Sequence, residues 1–263
     1  MKEFFGFGGY ERTPEGYMSW QHLLFVSLLM AAMIALAVVL GIKNKNKDMK
    51  IKNKVLIWAA ILIDGFEIFK IIICCVRSGD ISSILHMLPL FLCSIQLITI
   101  PLAAFAKGRV KEAALDFVFI FGILGAVLGT YGAGQNYSAY PVLSFDNVVS
   151  GITHAISGFS SLYIVISGMA SMKPKNIWIS FSILFAFCIM ATIANYTIPY
   201  NYMFLVRGDG TPYDIFYNMV GGHPVLYPMI VILLFVLYMS IFYLIFFLVK
   251  KHRAKKLQTM EEH

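Results

Sequence analysis

Charge is what this sequence has least of. Only 13% of its 263 residues are Asp, Glu, Lys or Arg, against 59% that are hydrophobic, and the mean hydropathy is +0.76. Soluble domains carry about 25% charged residues, so the composition excludes a water-soluble enzyme and points to a chain whose solvent is the bilayer. Cysteine is scarce as well. Cys74, Cys75, Cys93 and Cys188 all fall inside apolar runs, without the spacings of a secreted disulfide framework or a zinc site. No disulfide, metal or other cofactor is expected. Tandem repeats and low-complexity tracts are absent too, and the connections between apolar runs are too short for a second domain.

What the chain does have is basic residues in the right places. The net charge of +7 is spread over short Lys/Arg clusters between apolar runs, the pattern of topology signals rather than of a nucleic-acid surface. A membrane lipid is the expected partner and nucleic acid is not; the sequence does not fix the oligomeric state. Apolar windows predict seven spans, Trp20–Ile42, Val55–Val76, Ile84–Ala106, Ala113–Gly132, Asn147–Met169, Ile177–Tyr196 and Val225–Val249. The first follows a mixed-charge stretch and is too long for a signal-peptide core, so it is expected to be retained.

Sixteen of the 21 Lys and Arg fall on one face of this seven-span arrangement, in the segments after spans one, three, five and seven. By the positive-inside rule that face is cytoplasmic. The expected fold is therefore an all-α membrane protein, a single bundle of about seven transmembrane helices over residues 20–249. An extracytoplasmic segment, 1–19, precedes it and a basic cytoplasmic tail, 250–263, follows. The chain reads as a multi-pass protein of the cell membrane.

Polar groups at membrane depth need a partner, a cavity or a task. In the second span Asp64, Glu67 and Lys70 form a slanting ladder in which Glu67 can reach Lys70, read either as a structural lock or as a functional relay. The third span, as a continuous helix, would align His86, Pro89, Cys93 and Gln96 on one stripe. The fifth carries Ser150, His154, Ser157, Gly158 and Ser161 toward another helix. Taken singly, His154 could bond a neighbouring carbonyl and Cys93 could be small apolar filler. Cys93, His154 and Lys70 nonetheless fall at one level, roughly 4 to 6 Å outward of the span midpoints at 1.5 Å per residue. His22, His86, Asn195, Tyr196, Asn201 and Tyr202 lie nearer the same outer surface. The expectation is a polar cavity in the outer half. Gly122, Gly125, Gly129 and Gly132 make the fourth span a close-packing helix, with no chemistry assigned to it.

The order LPLFLCSI from Leu88, FGILGAV from Phe121, SGITHAISGFSSLYI around His154, NYTIPYNYMFL from Asn195 and HPVLYP from His223 resembles the YwaF-like integral membrane proteins of bacteria. Phe91 stands where such proteins carry a histidine. That family is similar in turn to a eukaryotic transmembrane acyltransferase of ether phospholipids and, more distantly, to androgen-induced-protein hydrolases of fatty acid esters. The resemblance implies a lipid acyltransferase or ester hydrolase acting through an acyl-enzyme, with Cys93 as nucleophile and His154 as base. Lys70, Asn195 or Asn201 would be orienting groups. The alternatives left by the residues themselves are a proton-linked small-solute transporter using Asp64, Glu67 and Lys70, and a lipid-binding or accessory membrane protein.

Overall fold

The computed structural model describes residues 2–170 and 172–261, with side chains described as far as His252 in the last helix. Every regular element among these residues is helical: α1 Lys2–Phe5, α2 Trp20–Asn44, α3 Met49–Ser78, α4 Gln96–Phe105, α5 Gly108–Leu128, α6 Gly134–Ala139, α7 Phe145–Ile166, α8 Ile177–Thr197, α9 Asp214–Met219 and α10 Leu226–Glu261, with three short 3₁₀ turns. Four segments, Trp20–Asn44, Phe145–Ile166, Pro174–Thr197 and Leu226–His252, are long and apolar enough to cross a membrane. In α3 and α5 the apolar runs are interrupted by Asp64, Glu67 and Lys70 and by Lys111, Glu112 and Asp116.

The helices group into two compact units, Met1–Ser171 and Met172–His263. In the first, α7 is central and packs on α2, α3 and α5. Its N-terminus is set by the Ser144 hydroxyl, which accepts from Asn147 N at 3.3 Å, and by Asp146 in the first turn, where a carboxylate meets the positive end of the helix dipole. Small residues then let neighbouring backbones approach. A Cβ on Gly122 of α5 would lie 2.7 Å from the Ser157 carbonyl and 2.8 Å from Ser161 Cβ. The Ser157 and Ser161 hydroxyls donate back to the carbonyls of Gly122 and Phe119 at 3.3 and 2.7 Å. Serine thus binds helix to helix where no water can. Toward the Met49 end of α3, Tyr163 donates to Lys52 O at 3.1 Å and accepts from Asn44 at 3.2 Å, and the Lys111 ammonium reaches Asn53 Oδ1 at 2.6 Å and Ala104 O at 3.1 Å. These bonds tie α2, α3, α4, α5 and α7 together at one end.

The close approach sets an expected result. Gly122→Leu should destabilise the protein by about 1–3 kcal/mol through overpacking. Gly65→Ala on α3, where nothing lies within 4 Å of the added methyl, should leave thermal unfolding in detergent unchanged or slightly raised. Equal melting of the two variants would refute the α5–α7 contact.

In the second unit α8 and α10 are joined by the Tyr243 hydroxyl, 3.1 Å from Ser180 Oγ. Between them runs the irregular stretch 198–225, with a 3₁₀ turn at Tyr202–Phe204 and α9. The tail expected over 250–263 begins as a continuation of α10 to Glu261; the side chains of its Arg253, Lys255 and Lys256 lie outside the described residues.

Candidate functional site

The third apolar run does not form the continuous helix expected from Ile84 to Ala106. A 3₁₀ turn over Ile81–His86 gives way to irregular backbone at Met87–Ile95, and only Gln96–Phe105 is α-helical. Pro89 is one cause, because it offers no N–H and turns the residue before it away from helical geometry. Ser94 is the other. Its hydroxyl accepts from Phe91 N at 2.9 Å and donates to Phe91 O at 3.1 Å, offering the backbone a local alternative to helical bonding. The stripe of His86, Pro89, Cys93 and Gln96 is therefore broken. His86 is exposed in the 3₁₀ turn, and Cys93 sits half-buried on irregular backbone just before α4.

Irregular backbone in an apolar chain survives only where protein covers it, and α5 supplies the cover. A Cβ on Gly125 would stand 3.4 Å from Cys93 Cα and Cβ, and one on Gly129 would run into the His154 ring. Positions four apart on a helix are neighbours about 5–6 Å from one another. Cys93 and His154 thus share one glycine wall and lie within about a dozen ångströms of each other. No hydrogen bond joins them. The N–H groups of Cys93 and Ser94 lie against the Cys93 sulfur. Lys70 is within electrostatic reach of both Cys93 and His154, and its ammonium is 2.6 Å from Glu67 Oε1. Asp64, one turn earlier on α3, faces the charge of Glu67. Gln96 is fully buried; its amide oxygen is 3.1 Å from the Thr99 hydroxyl and its amide nitrogen has no partner among the described residues.

The remaining expected residues are engaged elsewhere. His22 is fully buried, with Nδ1 accepting from Met18 N at 3.2 Å. Its Nε2 must then carry the proton that reaches Thr130 O at 3.1 Å, and the ring lies 3.9 Å from that of Tyr137. Asn195, Tyr196, Asn201 and Tyr202 belong to the second unit. Asn195 pairs with both backbone groups of Tyr202, at 2.7 and 3.0 Å. Asn201 donates to Arg207 O and Asp209 at 2.7 and 2.8 Å and accepts from Val206 N at 2.9 Å. Both amides hold the loop rather than offering free donors. Tyr202 is buried and Tyr196 is exposed.

Two features escaped the sequence reading. Asp116 is fully buried on α5 and has a partner; a carboxylate inside an apolar run was signal enough to find it. The second is a cluster where α3 ends and α7 begins. The Arg77 guanidinium grips Asp146 with two bonds of 2.6 and 2.8 Å, and the Tyr10 hydroxyl donates to the same carboxylate at 2.5 Å. Burial and the neighbouring carboxylate push the Tyr10 phenol up to about 12, so it remains a donor throughout the neutral range. No cluster of three His, Cys, Asp or Glu among the described residues is placed to hold a metal.

No curated protein and no solved structure matches this chain. A family model does, over residues 17–246, which include all seven apolar runs to within a few residues and both sides of the Cys93–His154 site. The chain is a membrane protein belonging to the TMEM164 family.

Proposed function

We propose that this protein is a membrane-embedded enzyme that transfers or hydrolyses the acyl groups of lipids, with Cys93 as nucleophile and His154 as base. The observation that carries the reading is Cys93 itself, on a break in an apolar helix, with the backbone N–H groups of Cys93 and Ser94 at its sulfur and a histidine on the same glycine wall. His154 takes the thiol proton as the sulfur attacks the ester carbonyl. The N–H groups of Cys93 and Ser94 receive the developing oxyanion. Collapse releases the lipid alcohol with the proton returned by His154 and leaves an acyl thioester. A second alcohol, or water, then takes the acyl group by the reverse sequence. Thiol and imidazole close to bonding distance as substrate binds beside them.

The chain crosses the cell membrane seven times, the third crossing being the 3₁₀ turn, the irregular stretch and α4 together. Its N-terminus is outside and its basic tail cytoplasmic. The order of its motifs allies it with the YwaF-like bacterial proteins. Lipidomics of membranes from cells carrying the wild-type protein, Cys93→Ser or a deletion is the test: acyl exchange in phospholipids or fatty acid esters should be lost equally in the last two. The close pair of Glu67 and Lys70 favours a second reading, proton-linked transport. Unchanged lipids in the deletion strain, together with pH-dependent uptake abolished by Glu67→Gln, would establish that one instead.

A further inference from the structure

The stretch before α2 is built into the first unit. Phe5 packs on Phe69 of α3 and Phe145 of α7, with ring centroids 6.4 and 5.1 Å apart. Its carbonyl accepts from Arg77 Nη1 at 3.2 Å, and the Tyr10 hydroxyl accepts from the same nitrogen at 3.3 Å. Further along, Glu15 Oε2 accepts from Val142 N at 2.8 Å, and a Cβ on Gly134 would stand 3.5 Å from the Tyr17 ring. The segment is thus fixed to α3, to the α6–α7 connection and to the start of α7. Between these contacts Gly8 and Gly9 have φ of +86° and +96°, with open space where a Cβ would stand and the Gly9 N–H donating to Gly6 O at 3.1 Å. That conformation favours glycine, whose backbone can change φ at little steric cost.

The anchors stand over the candidate site. Lys70, Cys74 and Arg77 recur on one face of α3, which puts Arg77 about 10 Å along the axis from Lys70. Asp146 is about 12 Å along α7 from His154 by the same rise. Just past the end of α5, Thr130, which binds His22, directly follows Gly129, the residue against the His154 ring. Three helices that carry the site therefore end under the strap.

We infer that residues 2–19 form a lid over the water-facing mouth of the Cys93–His154 site, latched by the Arg77–Asp146–Tyr10 cluster. The inference rests on the reading of Cys93 and His154 as the working site, and it makes the lid the regulator of aqueous access to that site. With the lid latched, substrate enters from the bilayer and water is kept from the thioester. With it open, water reaches Cys93.

The test reads accessibility rather than turnover, so it stands whether or not Cys93 proves to be a nucleophile. In lipid nanodiscs, a chain carrying Cys74→Ser, Cys75→Ala and Cys188→Ala retains Cys93 as its one thiol. Its modification by an anionic, water-soluble methanethiosulfonate is compared with modification by a membrane-permeant maleimide. Latch variants of two kinds are needed: Arg77→Gln, and the lid-only pair Phe5→Ala with Tyr10→Phe, which leaves every helix of the site intact. If the open form is a minor state of about 1–10%, both should raise the methanethiosulfonate rate about tenfold or more while the maleimide rate changes less than twofold. Equal methanethiosulfonate rates with and without the latch, including no reaction in either, would overturn the lid. A parallel rise with both reagents would mean general loosening and would overturn it equally.

Discussion

Lys70→Ala is expected to lower membrane yield and thermal stability in detergent far more than the double change Glu67→Gln with Lys70→Met. The Lys70 ammonium is 2.6 Å from a Glu67 carboxylate that is almost wholly buried. Removing the cation strands Glu67, with Asp64 one turn away adding repulsion. Breaking one side of a buried pair costs about 3–5 kcal/mol, whereas replacing both partners by neutral groups of similar volume is often close to neutral. Melting of the single and double variants decides the matter. Equal loss in both would mean that the two charges act separately, Lys70 through Cys93 and His154 and Glu67 through Asp64.

That pair was legible in the sequence because a helix fixes which residues meet: three positions apart in IDGFEIFK suffices for contact. The close packing of α5 on α7 was legible for the same reason, from glycines on one helix and a serine and glycine stripe on the other. The third apolar run was not. Hydropathy reports that LPLFLCSIQL belongs in the membrane, but it does not distinguish a helix from a buried irregular stretch. Here Pro89 and the Ser94 hydroxyl decided for the latter. The glycine wall was read only as a packing surface, since its second use depends on Cys93 leaving helical geometry. Arg77, Asp146 and Tyr10 lie 69 and 136 residues apart along the chain. No local pattern relates them, and their pairing came only with the tertiary fold. Asn195 and Asn201 show the converse case. They were expected as orienting groups near a cavity, yet the loop's own backbone engages both amides.

Cys93→Ser is expected to abolish acyl transfer, and His154→Ala to reduce it to the same floor. If the two residues form one catalytic unit, the double variant should be no slower than either alone, because losses within such a unit do not add. General-base assistance alone is worth about 10²–10⁴-fold, and a serine hydroxyl on the same irregular backbone is a far weaker nucleophile than a thiolate. The fold should survive both changes. A serine hydroxyl at position 93 can keep the contact that the Ser94 N–H makes with the sulfur, and loss of the His154 ring opens space against Gly129 rather than closing it. Purified protein in mixed micelles, given a phospholipid acyl donor and a lysophospholipid acceptor, supplies the rates, with thermal melting of each variant as the control. Near-normal turnover in Cys93→Ser would reduce the cysteine to filler. Losses that multiply in the double variant would mean that His154 acts elsewhere in the cycle, and a fall in melting temperature that accounts for the loss in His154→Ala would make that histidine a packing residue against α5.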